Sequence, residues 1–292
     1  MMLTRDLISK YIWPLSPLPT SLHPGGTLGG KVACVLFDIY GTLFISGSGD
    51  ISIAQKTSQQ TVKIEKLMYR FGFDKPVHVL VEKLFSEIER DHSEKRGIGI
   101  EHPEVEIDDI WMRVLGSDDP DKIRAFAVEY ELIANPVYPM PNLEKMLAIC
   151  KASDILMGII SNAQFFTPCL FDWFFDASPE GLGFDTDLTF FSYRFGHAKP
   201  SMFMFDAAAE VLESRRIPVH STLYIGNDML NDIYPAKKAG FKTALFAGDA
   251  RSLRLRPDHP KCQNLSADLI ITDLLQVLEH IQQGDKDETP RE

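Results

Sequence analysis

Asp38 closes the apolar run Val32-Ala33-Cys34-Val35-Leu36-Phe37 and is followed by Ile39-Tyr40-Gly41-Thr42-Leu43. A short apolar run bounded by a turn signal reads as a buried strand, and open α/β sheets bind ligands at the carboxyl ends of their strands. Asp38 is therefore expected in that crevice. Gly41 lets the chain turn sharply there, and Thr42 with the neighbouring amides offers hydrogen-bond donors to an anion beside the carboxylate. A covalent intermediate on Asp38 is chemistry this placement allows.

Three further runs end in the same way. Gly158-Ile159-Ile160-Ser161-Asn162 puts a hydroxyl and an amide after an apolar run; His197-Ala198-Lys199-Pro200-Ser201 puts a lysine at a loop-to-helix junction. Leu223-Tyr224-Ile225-Gly226-Asn227-Asp228-Met229-Leu230-Asn231-Asp232 sets two carboxylates and two carboxamides behind a strand. Brought to one sheet edge, this inventory suits phosphoryl transfer. Asp38 would attack phosphorus, Lys199 would stabilise both Asp38 and the transferring group, and Thr42, Ser161, Asn162 and backbone amides would bond its oxygens. Mg²⁺ held by Asp38, Asp228, Asp232 and waters would neutralise the charge between carboxylate and anion.

The elements that must position these groups alternate. Strands are expected at Val32 to Phe37, Leu156 to Ile160, Leu188 to Phe191, Thr222 to Ile225, Thr243 to Phe246 and Leu269 to Ile271. Helical patterns cover Asn142 to Lys151, Ser201 to Arg215, Asn231 to Ala239 and Asp273 to Gln282. This is the pattern of βα units and a mostly parallel sheet. Between residues 47 and 138 no strand is expected; helical periods at Ile64 to Phe71, Val77 to Arg90, Ile107 to Leu115 and Asp121 to Ala134 read as an insertion above Asp38. The expected division is an irregular N-terminal extension (1–30), a core (31–46 and 139–283), a helical cap (47–138) and a flexible tail (284–292).

At 292 residues with 45% hydrophobic content, the chain can bury a sizeable core. Its net charge of -11 argues against nucleic acid and anionic membrane surfaces as partners. The four cysteines have neither disulfide nor zinc-ligand spacing, no apolar stretch is long enough to span a membrane, and no signal pattern opens the chain. A cytoplasmic protein acting on a small molecule, of open oligomeric state, is expected.

The strings FDIYGTLF, IISNAQ, AKPSMF and IGNDMLNDI, in this order, resemble the four motifs of the haloacid dehalogenase (HAD) superfamily, and the helical insertion resembles the cap of its C1-capped subgroup. The resemblance runs from Lys31 to the last helix. It implies a Rossmann-like three-layer α/β sandwich with a mostly parallel sheet and an inserted helical cap, and an aspartyl-phosphate intermediate in a Mg²⁺-dependent phosphatase acting on a small phosphorylated metabolite. It also implies that the backbone carbonyl of Tyr40 is a metal ligand, and it leaves two registers for the fourth motif, in which Asn227 or Asp228 takes the place of the first acid.

Tyr40 departs from the phosphatase pattern, which carries there a second Asp that protonates the leaving oxygen and then activates water. Loss of such a group costs about 10²- to 10⁴-fold in rate. The family's dehalogenases resemble this chain in having Tyr there. A metal-independent 2-haloacid dehalogenase is therefore one alternative, and a catalytically degenerate binding protein is another. The dehalogenase cap string Arg-Gln-x-Gln-Leu-Glu-Tyr is absent; Arg70 matches it only loosely.

Other features have plainer readings. His197 is expected as a structural loop histidine, the aromatic run from Phe165 to Phe175 as packing, and the acidic stretch from Glu101 to Glu131 as a solvated face. Arg251, Arg254 and Arg256 are expected on a salt-bridged surface, although their loop follows a strand whose end faces the crevice.

Overall fold

The computed structural model describes residues 9–48, 58–153 and 155–282. The expected tail at 284–292 and the first eight residues of the extension lie outside them. The strands are β1 (Gly25–Gly26), β2 (Cys34–Phe37), β3 (Phe44–Ser46), β4 (Val137–Pro139), β5 (Leu156–Ser161), β6 (Phe184–Phe191), β7 (Thr222–Gly226), β8 (Lys242–Phe246) and β9 (Leu269–Ile271).

Seven of them form one sheet in the order β1-β9-β8-β7-β2-β5-β6, parallel except for β1. The chain builds outward from β2 on one side through β5 and β6, and on the other through β7, β8 and β9. The direction of winding thus reverses at β2, where open α/β sheets form their ligand crevice. Phe37 pairs with Ile159 on one side and Ile225 on the other, so the residues after β2, β5 and β7 leave the sheet at one level.

Side-chain alternation along β2 builds the layers. Val35 and Phe37 join an apolar cluster with Leu143, Met146, Leu147, Val277 and Ile281 from the helices Leu143–Ala152 and Gln276–Gln282. Cys34 and Leu36 face the other way, onto Met204, Phe205, Ala208 and Leu212 of the helix Phe203–Ser214. The result is the α/β three-layer arrangement. The four cysteines are unpaired, and all but Cys169 are buried.

Between β3 and β4 lie helices Ser58–Arg70, Val77–Gly97, Ile107–Leu115 and Pro120–Ala134. Asp119 accepts from the Lys122 amide at 3.0 Å with Pro120 in the first turn, and Gly116 ends the preceding helix at φ 67°. Their core is Trp111, 1% exposed, with ring centroids 5.1 Å from Phe126 and 4.7 Å from Tyr130.

Several expectations need correction. The interval at 47–138 was expected without strands, yet Ser46 pairs with Val137 and Phe44 with Pro139 in a two-stranded antiparallel ribbon at the root of the helices. Each strand is three residues long, too short to carry a period. β6 begins at Phe184 rather than Leu188: it is an edge strand, and its polar Asp185 and Asp187 take ion pairs with Arg215. The helix expected from Asn231 opens instead with a π-helical turn, Met229–Ile233, because Asp228 caps the amides of Leu230 and Asn231.

The N-terminal extension is less irregular than expected. Gly25 and Gly26 add an antiparallel edge to β9, and Thr20 donates to the Ala247 carbonyl at 2.8 Å. At Gly26, with φ +95°, a Cβ would lie 2.1 Å from the Asp268 carbonyl oxygen. The acidic face is not uniformly solvated either. Glu129 is 1% exposed and engaged by Tyr11, Arg70 and Lys10. No described helix is long and apolar enough to cross a membrane.

Trp111→Ala removes the centre of the helical cluster and should cost about 3–5 kcal/mol. Urea unfolding checks this, with a shift of the midpoint at unchanged slope as the expected result.

Candidate active site

Asp38 continues the sheet ladder by donating its amide to the Ile225 carbonyl at 2.9 Å, which aims its side chain from the sheet edge. The chain then turns at Gly41, whose amide donates to Phe44 O at 2.7 Å. Gly41 has φ +83°, and a Cβ there would lie 2.4 Å from Ser252 Cβ and 2.7 Å from Asn227 Nδ2. Only glycine fits this close packing of the first motif on the fourth.

The buried ammonium of Lys199 joins the motifs. Its Nζ donates to Asp38 Oδ1 at 2.7 Å, Asp232 Oδ1 at 2.5 Å, Tyr224 Oη at 3.2 Å and the Ile160 carbonyl at 3.3 Å. Asn162 fixes the loop that carries it: Asn162 Oδ1 accepts from the Lys199 amide at 2.7 Å and its Nδ2 donates to the Lys199 carbonyl at 3.3 Å. Burial alone would lower the lysine pKa, but Asp232 and Asp38 outweigh it and hold the ammonium charged. Burial pushes the Asp232 carboxyl up against the pull of Lys199, and Asp38 and Asp228 add to the rise.

The other predicted residues are placed as follows. Tyr40 Oη lies 3.0 Å from Thr167 Oγ1, and burial holds the phenol protonated. Thr42 donates to Asn227 Oδ1 at 3.2 Å, and Ser161 is bonded to the Asn162 carbonyl at 3.3 Å. Both hydroxyls are fully buried and neither residue lines the cavity before Asp38. Asn227 also donates to the Ser252 carbonyl at 2.6 Å.

Asp228 accepts from the amides of Leu230 at 2.8 Å and Asn231 at 3.2 Å, and from Arg256 Nη2 at 2.6 Å. Both Asp232 oxygens are engaged too, Oδ2 by the Asp228 amide at 2.9 Å. His197 stacks on Phe203 at 4.5 Å, a structural position. Arg70 is held by Glu129 and is not among the cavity-lining residues.

The cavity has a volume of about 360 Å³. Asp38, Tyr40, Asn162, Lys199 and the fourth motif form one wall; Ile88, His92, Glu104, Val105, Ile107, Glu131 and Asn135 form the opposite one. The opposite wall is stitched down. Glu104 accepts from Ser192 Oγ at 2.7 Å and Gln164 Nε2 at 3.1 Å, while the Ile107 amide donates to Gln164 Oε1 at 3.0 Å. Asn135 Oδ1 accepts from Ser46 Oγ at 2.8 Å, and Asn135 Nδ2 donates to Glu131 at 3.2 Å. Burial pushes the Glu131 carboxyl up to about 7 and lowers the His92 pKa. A larger hollow, about 680 Å³, is lined by residues such as Tyr138, Asn142 and Phe174 and by none of the motif residues.

Sequence reasoning missed Tyr224, which reads as one more apolar strand residue, and the helical residues facing the cavity. It also set Arg254 and Arg256 on the surface, whereas both line the cavity with Ser252. Alternation puts Ser252, Arg254 and Arg256 on one face and Leu253 and Leu255 on the other, but its ordinary reading turns the leucines inward, whereas Leu255 is 43% exposed.

No curated protein matches the chain in sequence. The HAD-hydrolase-like family model matches residues 197–276, spanning the Lys199 loop and the fourth motif. Among solved structures, a 2-haloacid dehalogenase from Pseudomonas syringae pv. Tomato DC3000 is 18% identical, covers 87% of this chain and 99% of its own, and superposes with a TM-score of 0.52. A HAD phosphatase from Thermococcus onnurineus is 18% identical, covering 85% of this chain and 97% of its own, with a TM-score of 0.50. In the segment 197–276 the chain is similar to the HAD-hydrolase-like family, and its fold is similar to that of these two structures.

Proposed function

We propose that the chain hydrolyses a small organic anion through an ester on Asp38, and that the leaving group departs from carbon without a proton, as halide does from a 2-haloacid. The observation that carries this reading is the engagement of Lys199 with both Asp38 and Asp232, together with the state of the other acids. Asp38 keeps Oδ2 for the substrate. Its attack forms an O–C bond as the C–X bond breaks and halide leaves with the electron pair. Water then adds to the ester carbonyl carbon as the O–C(acyl) bond breaks; one of its protons passes to the departing alkoxide oxygen and the other to solvent, returning the carboxylate and releasing the 2-hydroxy acid. Tyr40, protonated and bonded to Thr167, serves as wall rather than base.

The donor set supports a metal-free reading. Mg²⁺ takes near-octahedral oxygen coordination, whereas Asp228, Asp232 and the Asn227 carboxamide oxygen already accept hydrogen bonds. Attack on a phosphate dianion without a metal ion would set a carboxylate against two charges, with Lys199 engaged elsewhere. Hydrolysis of a small phosphate ester with Mg²⁺ is the second reading, favoured by Asn227, Asp228, Asn231 and Asp232 all lining one end of the cavity.

Halide release from 2-chloropropionate and phosphate release from an aryl phosphate, each with Mg²⁺ and with EDTA, separate the two. The expected result is halide release insensitive to EDTA and abolished by Asp38→Asn; Mg²⁺-dependent phosphate release would establish the second reading. Lys199→Ala leaves two buried carboxylates unpaired. It should cost about 3–5 kcal/mol at pH 8 and less at pH 5, where Asp232, whose carboxyl burial pushes up to about 7, takes up a proton, as read by denaturant titration, and should lower kcat at least about 10²-fold. Glu131 ionises near pH 7, adding negative charge to the cavity as pH rises. KM for an anionic substrate should therefore increase from pH 6 to pH 8, and Glu131→Gln should flatten that rise.

A further inference from the structure

We infer that Arg254, with Ser252 beside it, is the seat for the carboxylate of the substrate, which selects small 2-substituted carboxylic acids. This rests on the reading of Asp38 as a nucleophile toward carbon and adds what holds the carbon in front of it.

Ser252 lines the cavity and is 1% exposed, and among the described residues its hydroxyl oxygen has no hydrogen-bond partner. A buried polar atom left in this state costs free energy that a bound polar group restores. Arg254 lines the same cavity. Its Nη1 donates to the carbonyls of Arg251 at 2.7 Å and Leu253 at 3.0 Å, and among the described residues no carboxylate pairs with it.

The other nearby cations are neutralised: Lys199 by Asp38 and Asp232, Arg256 by Asp228, and Arg251 by Asp249. The opposite wall brings Glu104, Glu131 and a histidine, His92, whose charged form burial disfavours. An anion in this cavity is therefore drawn to Arg254.

The seat is also fixed in place. The Arg254 amide donates to the Asn227 carbonyl at 2.9 Å, and the Met229 amide to the Arg254 carbonyl at 2.8 Å. Asn227 Nδ2 holds the Ser252 carbonyl at 2.6 Å. The segment is thereby tied to the motif that carries Asp232, and a planar guanidinium on it presents a fork matched to a carboxylate.

Isothermal titration with 2-hydroxypropionate, the product-type anion, and with its uncharged amide tests the seat without turnover. The acid should bind wild type, about 10²-fold more weakly to Arg254→Ala and with intermediate affinity to Arg254→Lys; the amide should bind wild type and Arg254→Ala alike. Melting curves of both variants confirm folding. Equal affinity of the acid for wild type and Arg254→Ala, or no binding to wild type, overturns the proposal. Halide assays keep the two readings apart. Arg254-dependent anion binding without halide release would leave the seat standing and remove the dehalogenation reading. Halide release with unchanged kcat/KM in Arg254→Ala would do the reverse.

Discussion

A single buried ammonium holds the reactive end of this molecule together. Lys199 reaches from the loop after β6 to Asp38 after β2 and Asp232 beyond β7, and every other feature of the site serves or answers that contact. Two carboxylates this deep in the protein would otherwise repel each other, and burial with that repulsion already pushes the Asp232 carboxyl up. Asn162 fixes the lysine by its backbone and Tyr224 crowds its ammonium, so the charge has one place to be. What the lysine cannot do as well is neutralise an incoming phosphate dianion. That constraint shapes which substrates the cavity suits.

The helices between β3 and β4 supply the opposite wall through polar contacts close to the root. Asn135 binds Ser46 on one strand of the ribbon and Glu131 on the last helix; Glu104 binds the loops after β5 and β6 through Gln164 and Ser192. These contacts turn acidic groups inward. With Lys199, Arg251 and Arg256 paired, charge selection passes to the segment after β8, whose backbone is bonded to the fourth motif.

The sheet was legible because Val32 to Phe37, Thr222 to Ile225 and Leu269 to Ile271 are short apolar runs bounded by turn residues; the first two are covered on both faces, and Leu269 and Ile271 pack into the larger core cluster. Asp38, Lys199 and Asp232 were legible by their place after strands, and the structure brings them within hydrogen-bond distance of one another through Lys199. The ribbon of Phe44–Ser46 and Val137–Pro139 was not, since its strands are shorter than a recognisable period. Nor could spacing alone show that Asp228 turns to Arg256 and its own helix amides, or that Thr42 and Ser161 bond inward. Those outcomes depend on partners distant in sequence. The inward face of the Ser252 to Arg256 segment was not legible either, since its alternation and its charge both point to the leucines inside and the arginines in solvent.

The central claim is that Asp38 carries the intermediate. The most direct test is a single turnover of 2-chloropropionate by excess protein in ¹⁸O-water, followed by mass analysis of the peptide containing Asp38. Water attacking the ester carbonyl must leave one heavy oxygen in the Asp38 carboxylate while the released 2-hydroxypropionate stays unlabelled. Heavy oxygen in the product, with an unlabelled Asp38 peptide, would mean that water displaces the leaving group directly and would contradict the account.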